Sequence, residues 1–190
     1  MAYSTKTDAR AATQKSRAQR SIQELADIDQ ALATHDWSSL VESNRITAYV
    51  SMKDEPPTSA LLNRLADSRI STWVPIMKKG RALAWGKFTH NLEINNFGVA
   101  EPAVDDEFEL GSAGALIIPA QRVGLDGTRL GRGAGYYDRA LSQIPTFAHG
   151  GPKRIALVFD DEVDQSVPHD EWDELMDVIV TPSRIIEIKK

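Results

Sequence analysis

Three short runs of nearly uninterrupted apolar residues constrain the fold of this chain more than any other feature. They occupy residues 115–118, 155–159 and 178–180. A strand that is covered on both faces has such a continuous apolar run, whereas a strand with one face in water alternates between apolar and polar residues. Double coverage is typical of parallel sheets, because crossover helices lie on both faces. The runs therefore predict an α/β fold.

Weaker β-branched and apolar runs predict further strands, and helical periodicity separates several of them. The complete set of predicted strands is 45–51, 71–76, 82–88, 115–118, 154–159, 177–180 and 184–188. In a chain of 190 residues, this pattern favours a three-layer domain with a mainly parallel central sheet flanked by helices. We therefore expect residues 1–190 to form a single domain.

An amphipathic helix is predicted near the N-terminus, from residue 4 to about residue 33. Its apolar residues recur at intervals of three and four, and its first half is basic, with Lys6 and Arg10 on one face. A basic helix face taken alone is most often simply solvated. Thr58 is the expected N-cap of a second helix. The other predicted helices are residues 58–67, 134–141 and 170–176.

Charge and composition exclude several classes of protein. The formal net charge of -5 argues against a general nucleic-acid binder, which needs a basic face. The absence of cysteine excludes disulfides, thiolate nucleophiles and cysteine-ligated zinc. No stretch approaches the roughly 18 to 20 apolar residues that span a bilayer, and no apolar signal core is present. We expect a cytoplasmic monomer that acts on small molecules, not on nucleic acid or at a membrane.

The densest chemical signal is the segment DGTRLGRGAGYYDR at residues 126–139. Its alternating glycines, Gly131, Gly133 and Gly135, permit positive φ angles and a close approach of the backbone to a ligand. Because a helical pattern begins at Tyr136, the free amides of the loop and of the helix N-terminus would converge on one point. By itself, such a glycine pattern is also compatible with a flexible surface turn.

Charged residues around these glycines indicate phosphate and a metal ion. Arg129 and Arg132 flank the glycines, and their planar guanidinium groups suit bidentate contact with phosphate oxygens. Asp138 lies in the first turn of the following helix. It is either a favourable partner of the helix dipole or a ligand for Mg²⁺, which prefers one or two carboxylates together with substrate phosphates.

Two other nucleotide-binding motifs fit less well. A P-loop requires G-x-x-x-x-G-K-[ST], but Gly86-Lys87 is followed by Phe88 and has Arg81 in place of the first glycine. A dinucleotide-binding fingerprint requires a third glycine where this chain has Tyr136. The P-loop is therefore excluded, and the dinucleotide motif stays open as the weaker alternative.

The string RLGRGAGYYDR at residues 129–139 closely resembles the signature of the 5-formyltetrahydrofolate cyclo-ligase family. Other blocks resemble that family in the same order along the chain. They are residues 6–10 with Arg17, residues 49–55 with Thr58, residues 97–102, and residues 167–168 with Asp173 and residues 180–181. The resemblance spans nearly the whole chain and implies a three-layer α/β fold.

The resemblance also implies roles for individual residues. The implied nucleotide site comprises Lys6, Thr7, Asp8, Ala9, Arg10, Arg129, Leu130, Gly131, Arg132, Gly133, Ala134, Gly135, Tyr136 and Tyr137. The implied folate site comprises Val50, Glu55, Phe97 and Tyr137, and the implied magnesium ligands are Asp138 and Asp173. Arg129, Arg132 and Tyr137 are the expected catalytic residues. On this assignment, Arg132→Ala would weaken ATP binding far more than folate binding.

The implied reaction is the ATP- and Mg²⁺-dependent conversion of 5-formyltetrahydrofolate to 5,10-methenyltetrahydrofolate, with release of ADP and phosphate. We expect phosphorylation of the formyl oxygen, followed by attack of the folate N10. The chain departs from the family pattern at Gly114-Ala115 and at Val123-Gly124. These departures leave open a non-catalytic nucleotide-binding relative, and a different ATP-dependent ligase or kinase is the third alternative.

Overall fold

A computed structural model describes residues 3–41, 43–96, 98–104 and 106–189. The helices are α1 (Lys6–Arg17), α2 (Ile22–Thr34), α3 (Ser59–Asp67) and α4 (Tyr136–Leu141). The strands are β1 (Arg45–Thr47), β2 (Ser71–Met77), β3 (Leu83–Lys87), β4 (Leu92–Ile94), β5 (Ala100–Pro102), β6 (Ala115–Pro119), β7 (Arg122–Gly124), β8 (Arg129–Leu130), β9 (Lys153–Leu157), β10 (Val163–Asp164), β11 (Val178–Val180) and β12 (Ile185–Glu187).

The central sheet contains seven strands in the order β12-β11-β9-β6-β1-β2-β3. The four inner pairings are parallel, and the edge strands β12 and β3 pair antiparallel with their neighbours. The α/β class with a mainly parallel sheet is therefore confirmed, and each of the seven predicted strands is present. The antiparallel direction of the two edge strands follows from their short connections, since a parallel crossover needs a dozen residues or more.

Successive residues of the inner strands point to opposite faces and form two separate cores. On β6, Ile117 packs with residues of α2 and α3, whereas Ile118 packs with Leu141 of α4. This is why the inner strands have continuous apolar runs, because each face is covered by helices. The expectation of helices on both sides of the sheet is confirmed.

The single N-terminal helix predicted for residues 4–33 is wrong, because α1 ends at Arg17 and α2 begins at Ile22. The Ser21 side chain accepts a hydrogen bond from the Glu24 amide at 3.1 Å and so caps a new helix. At the break, Arg17 turns inward and forms a buried ion pair with Glu162, with Nε to Oε1 at 2.6 Å. The break lets α1 leave the direction of α2 and pack beside the glycine segment.

Two other local predictions need correction. Thr58 occupies the N-cap position of α3 as predicted, but its side chain makes no capping hydrogen bond; its hydroxyl donates to the Tyr49 carbonyl at 2.8 Å and accepts from the Ser51 amide at 3.1 Å. Residues 170–176 form one turn and irregular structure instead of the predicted helix. There the Asp173 carboxylate accepts the Asp170 amide at 2.8 Å, which stabilises a turn that competes with helix formation.

Two small sheets were not predicted from the sequence. One pairs β4 with β5, and the other has the order β10-β7-β8. The β10-β7-β8 sheet matters for the candidate site, because β8 begins at Arg129 and leads directly into the glycine segment at residues 131–135. Among the described residues, no helix is long and apolar enough to cross a bilayer.

Candidate active site

The glycine segment, Gly131–Gly135, connects β8 to α4 and borders two neighbouring cavities. Gly133 and Gly135 have φ angles of 98° and 73°, which residues with a side chain rarely adopt. A Cβ atom at Gly133 would lie 3.2 Å from Cζ of Arg10, so the helix α1 packs directly on the loop. The backbone angle thus favours glycine at both positions, and the Arg10 guanidinium packs closely over Gly133.

The cavity on the α1 side is strongly charged, and we call it the charged cavity. Its volume is about 310 Å³, and five cationic and three acidic side chains line it. The cationic residues are Lys6, Arg10, Arg81, Arg129 and Arg139, and the acidic residues are Asp138, Asp170 and Asp173. The excess of cations, together with the glycine loop, suits a phosphate group in a protein that is acidic as a whole.

Helix α1 contributes two of these cations. Arg10 donates from Nε to the Gly131 carbonyl at 3.0 Å, and its guanidinium lies over Gly133. Lys6 Nζ donates to Asp170 Oδ2 at 2.7 Å and also to Asp173 Oδ2. Residues near the two ends of the sequence therefore meet in this cavity.

The Lys6 contacts shift the pKa of both partners. Partial burial disfavours the charged lysine, but the hydrogen bonds to Asp170 and Asp173 outweigh it and raise the Lys6 pKa above 10.5. Burial likewise disfavours the charged form of Asp173, and the hydrogen bond from Lys6 outweighs that effect and lowers its pKa below 3.8. Both groups are therefore held in their charged forms around neutral pH.

Arg129 joins the two cavities. Its side chain is almost completely buried, and it donates to Asp138 Oδ1 at 2.5 Å and to the Pro119 carbonyl at 3.3 Å. Its Nε atom is buried and has no hydrogen-bond partner among the described residues. A buried cation with an unused donor is a favourable place for an anionic ligand.

The expected metal ligands Asp138 and Asp173 both line the charged cavity. Within the described residues, no group of three or more histidine or acidic side chains is arranged to hold a metal ion by itself. Mg²⁺ commonly takes one or two protein carboxylates and completes its shell with phosphate oxygens and water. The donors present fit an ion bound together with phosphates.

The second cavity beside the glycine segment is mostly apolar, and we call it the apolar cavity. Its volume is about 200 Å³. Besides the glycine segment, its lining comprises Tyr49, Val50, Met52, Glu55, Pro75, Met77, Leu83, Val99, Pro119, Ala120, Arg129, Tyr136, Tyr137 and Asp138. An apolar cavity with a few polar groups suits a flat heterocyclic ligand.

Arg132 points to the apolar cavity and does not line the charged one. Its Nε donates to Glu55 Oε1 at 2.9 Å, and its NH2 group donates to Asp54 Oδ1 at 2.5 Å. Partial burial lowers the Arg132 pKa, but the bonds to these two carboxylates outweigh it and raise the pKa above the ordinary value. Glu55 also accepts the Met52 amide at 2.9 Å, so it is held in place from two sides.

Tyr137 carries a buried polar group that lacks a partner. Its hydroxyl makes no hydrogen bond among the described residues, although it is shielded from water. Burial, and then the nearby charge of Glu55, raise the Tyr137 pKa well above its ordinary value, so the group stays protonated. Its ring packs edge-on against Trp85, with centroids 6.4 Å apart. A neutral hydroxyl without a partner in an apolar cavity favours a ligand that supplies one.

Not all of the expected nucleotide residues line the cavities. Thr7 and Asp8 are exposed on α1 and line neither cavity, and Ala9 is buried against Leu130 and Val167. Ala9 therefore anchors α1 instead of facing a ligand. Leu130, Ala134 and Tyr136 each line one or both cavities as expected.

The expected folate residues Val50, Glu55 and Tyr137 all line the apolar cavity. Phe97, the fourth, lies outside the described residues. Four residues of the charged cavity had not been identified from the sequence. They are Arg81, Arg139, Asp170 and Trp172. Arg139 and Trp172 each lie next in sequence to an expected metal ligand, which was the available signal, whereas Arg81 comes from the distant β2–β3 turn.

The two departures from the family pattern lie outside both cavities. A Cβ atom at Gly114 would lie 2.6 Å from the Ser43 amide nitrogen. At Gly124 it would lie 2.2 Å from Asp126 Oδ1 and 2.4 Å from Thr128 Oγ1. Both glycines are therefore explained by local packing.

Comparison with known proteins places this geometry in context. A family model described as the 5-formyltetrahydrofolate cyclo-ligase family matches residues 3–182. The 5-formyltetrahydrofolate cyclo-ligase of Mycolicibacterium smegmatis is 33% identical over 175 residues, which cover 87% of this chain and 88% of that protein. The Escherichia coli (strain K12) protein of the same name is 26% identical over 157 residues, which cover 80% and 85%.

Two solved structures have the same fold. The 5,10-methenyltetrahydrofolate synthetase of Aquifex aeolicus superposes with a TM-score of 0.81 at 22% identity, covering 97% of this chain and 93% of that one. The Mycoplasma pneumoniae 5,10-methenyltetrahydrofolate synthetase gives a TM-score of 0.70 at 21% identity, with 93% and 98% covered. At this level of identity the likeness concerns the fold.

Proposed function

Because this chain belongs to the 5-formyltetrahydrofolate cyclo-ligase family, we propose that it uses ATP to convert 5-formyltetrahydrofolate into 5,10-methenyltetrahydrofolate. The observation that carries this proposal is the pair of unlike cavities that both border Gly131–Gly135. One suits a polyphosphate and the other suits a flat, mostly apolar ring. A reaction between ATP and a folate needs both cavities side by side, so that the two substrates can meet.

The phosphates of ATP bind in the charged cavity. Lys6, Arg10 and Arg129 supply the positive charge, and the amides of the glycine segment supply further donors. The unused Nε of Arg129 is the donor that this arrangement brings into use. Asp138 and Asp173 hold Mg²⁺, which supplies further neutralisation of phosphate charge when bound.

The folate binds in the apolar cavity. Its pterin packs against Tyr137 and Val50, and the Tyr137 hydroxyl donates to a polar atom of the ring system. Arg132 and Glu55 form the polar end of this cavity. This position supports a role for Arg132 in orienting the folate and Glu55 rather than in binding the ATP phosphates.

The reaction proceeds in two steps that need no side-chain nucleophile. The formyl oxygen attacks the γ-phosphorus and ADP leaves, which converts a poor leaving group into phosphate. The N10 nitrogen then attacks the activated carbon, loses its proton to solvent and expels phosphate. The protein holds the two substrates in contact and neutralises the charge on the transferred phosphoryl group.

The whole chain, residues 1–190, acts as one domain in this proposal. The central sheet takes strands from Arg45 to Glu187, and the charged cavity takes side chains from both α1 and the turn at Asp173. We keep the expectation of a cytoplasmic monomer whose partners are small molecules, with neither nucleic acid nor a membrane among them.

The experiment that tests this proposal combines purified protein with 5-formyltetrahydrofolate, ATP and Mg²⁺. The expected result is the absorbance of the methenyl product, with one ADP formed for each product molecule and no product when ATP or Mg²⁺ is omitted. A protein that binds ATP but forms no product under any of these conditions would be a non-catalytic relative. ADP formation on another acceptor would indicate a different ligase or kinase.

A further inference from the structure

Trp172 is a large aromatic residue that lines the charged cavity while 71% of its surface is exposed. The other tryptophans are accommodated within the fold. Trp37 and Trp85 are only 3% and 5% exposed, and Trp73 stacks on Phe108 with ring centroids 4.3 Å apart. Among the described residues, no ring or cation covers the Trp172 indole. An exposed indole beside a charged cavity calls for an explanation, because a tryptophan normally buries most of its apolar surface.

The turn that carries Trp172 is held firmly. The Asp173 amide donates to the Asp170 carbonyl at 3.1 Å, and the Asp170 amide donates to Asp173 Oδ2 at 2.8 Å. Both carboxylates also accept from Lys6 Nζ. The backbone at Trp172 is therefore held beside the cavity, next in sequence to a carboxylate that contacts Lys6, a proposed phosphate ligand.

We propose that Trp172 is the platform on which the base of the bound nucleotide stacks. This inference rests on the proposed function, since it takes ATP as the ligand of the charged cavity. With the phosphates between Lys6, Arg10 and the glycine segment, the base lies towards the edge of the cavity, where the flat indole is exposed. Stacking of a base on an aromatic ring supplies affinity without selecting one base, because every base has a π face.

The platform has a consequence for nucleotide selectivity. ATP and GTP gain the same kind of contact from Trp172, and inorganic tripolyphosphate gains none. The contribution of Trp172 is therefore the difference between binding a nucleotide and binding the bare phosphate chain. Comparing the affinities for ATP and tripolyphosphate therefore distinguishes stacking on Trp172 from an effect of Trp172 on the shape of the cavity.

The test measures the affinities of ATP and tripolyphosphate, with Mg²⁺ present, for the wild type, Trp172→Leu and Trp172→Phe. Removing the aromatic ring in Trp172→Leu is expected to weaken ATP binding by about tenfold, the order of one base–aromatic stack, and to leave tripolyphosphate within twofold. Trp172→Phe retains most of the ATP affinity. Ile22→Ala removes another exposed apolar side chain, 90% exposed and lining neither cavity, and serves as the control.

A second readout follows the indole itself. ATP is expected to protect the wild-type protein from fluorescence quenching by acrylamide, and tripolyphosphate is not. Trp172→Leu loses this protection, because the remaining tryptophans lie away from the charged cavity.

Three outcomes would overturn the inference. Equal ATP affinity in the wild type and Trp172→Leu would exclude stacking, and equal losses for ATP and tripolyphosphate would assign Trp172 to the shape of the turn. If the wild type forms the methenyl product from ATP while either of these results holds, only the stacking proposal fails. If the wild type does not bind ATP at all, the proposed function fails with it.

Discussion

The charged cavity and the apolar cavity share the glycines of the glycine segment in their linings but differ in almost every physical property. The first has five cations and three carboxylates, most of them paired, and the second has mainly hydrophobic side chains with one hydroxyl that lacks a partner among the described residues. The glycine segment can border both because its three glycines present backbone instead of side chains. Such a shared border lets two chemically unlike substrates meet while most of each substrate keeps its own surroundings.

Two arginine residues offer the strongest test of the assignment of ATP to the charged cavity and folate to the apolar cavity. Arg10 contacts the loop from the charged side, and Arg10→Ala is expected to raise the KM for ATP by about tenfold or more, since hydrogen bonds to charged groups contribute roughly 1.5–3 kcal/mol. The KM for 5-formyltetrahydrofolate should change little. Steady-state kinetics with each substrate varied in turn measures both values.

Arg132→Ala is the matched variant in the apolar cavity. It removes the same chemical group but leaves Glu55 without its partner at 2.9 Å. We expect Arg132→Ala to raise the KM for the folate more than the KM for ATP. If Arg132→Ala affects ATP far more than folate, the residue binds phosphate as the family resemblance first implied, and the division drawn from the cavity linings is wrong at this position.

Tyr137→Phe tests the assignment of the apolar cavity to the folate, because it should have opposite effects on stability and on folate binding. Removing a buried hydroxyl without a partner should stabilise the ligand-free protein by about 1 kcal/mol, because its desolvation is no longer uncompensated. The affinity for 5-formyltetrahydrofolate should fall by roughly fivefold, because the ligand loses one hydrogen bond. Urea unfolding and equilibrium binding measure the two effects, and a less stable ligand-free variant would contradict the argument.

The smallest expected effect concerns the Lys6–Asp173 ion pair. Because the folded pKa of Asp173 lies below 3.8, the pair stabilises the protein above that pH and ceases to do so as the pH falls through the folded pKa. Lys6→Met should therefore lose less stability than the wild type between pH 5 and pH 3, with a difference of about 1 kcal/mol or less. Lys15→Met, which changes an exposed lysine of the same helix, is the control in urea unfolding at each pH.

Long apolar segments of the fold were predictable from the sequence, and short or polar ones were not. The run at residues 115–118 fixed both the strand and its coverage on two faces, because hydrophobic periodicity reports burial directly. Strands of two or three residues such as β8 carry no periodicity and were missed. The sequence does contain a signal for the break before α2, because Ser21 followed by Glu24 is the pattern of a capping box. The helical periodicity continues across this position and obscured the signal.

The residue types of the site were predictable from the sequence, but the directions in which their side chains point were not. The alternation of Gly131, Gly133 and Gly135 indicated a loop that a ligand could approach, and two of these three residues have positive φ angles. No local pattern indicated that Arg132 would face Glu55, a residue 77 positions earlier. Such a pairing depends on how distant segments pack, which local pattern does not encode.

The contact between Lys6 and Asp173 spans 167 residues of sequence, and the ion pair between Arg17 and Glu162 spans 145. During synthesis, α1 leaves the ribosome long before either acidic partner exists. The charged cavity can therefore form only after nearly all of the sheet strands have been made. ATP therefore cannot assist the early folding of the chain through this site. A nascent chain on a ribosome that stalls before residue 162 lacks part of the charged cavity and has no complete binding site for ATP.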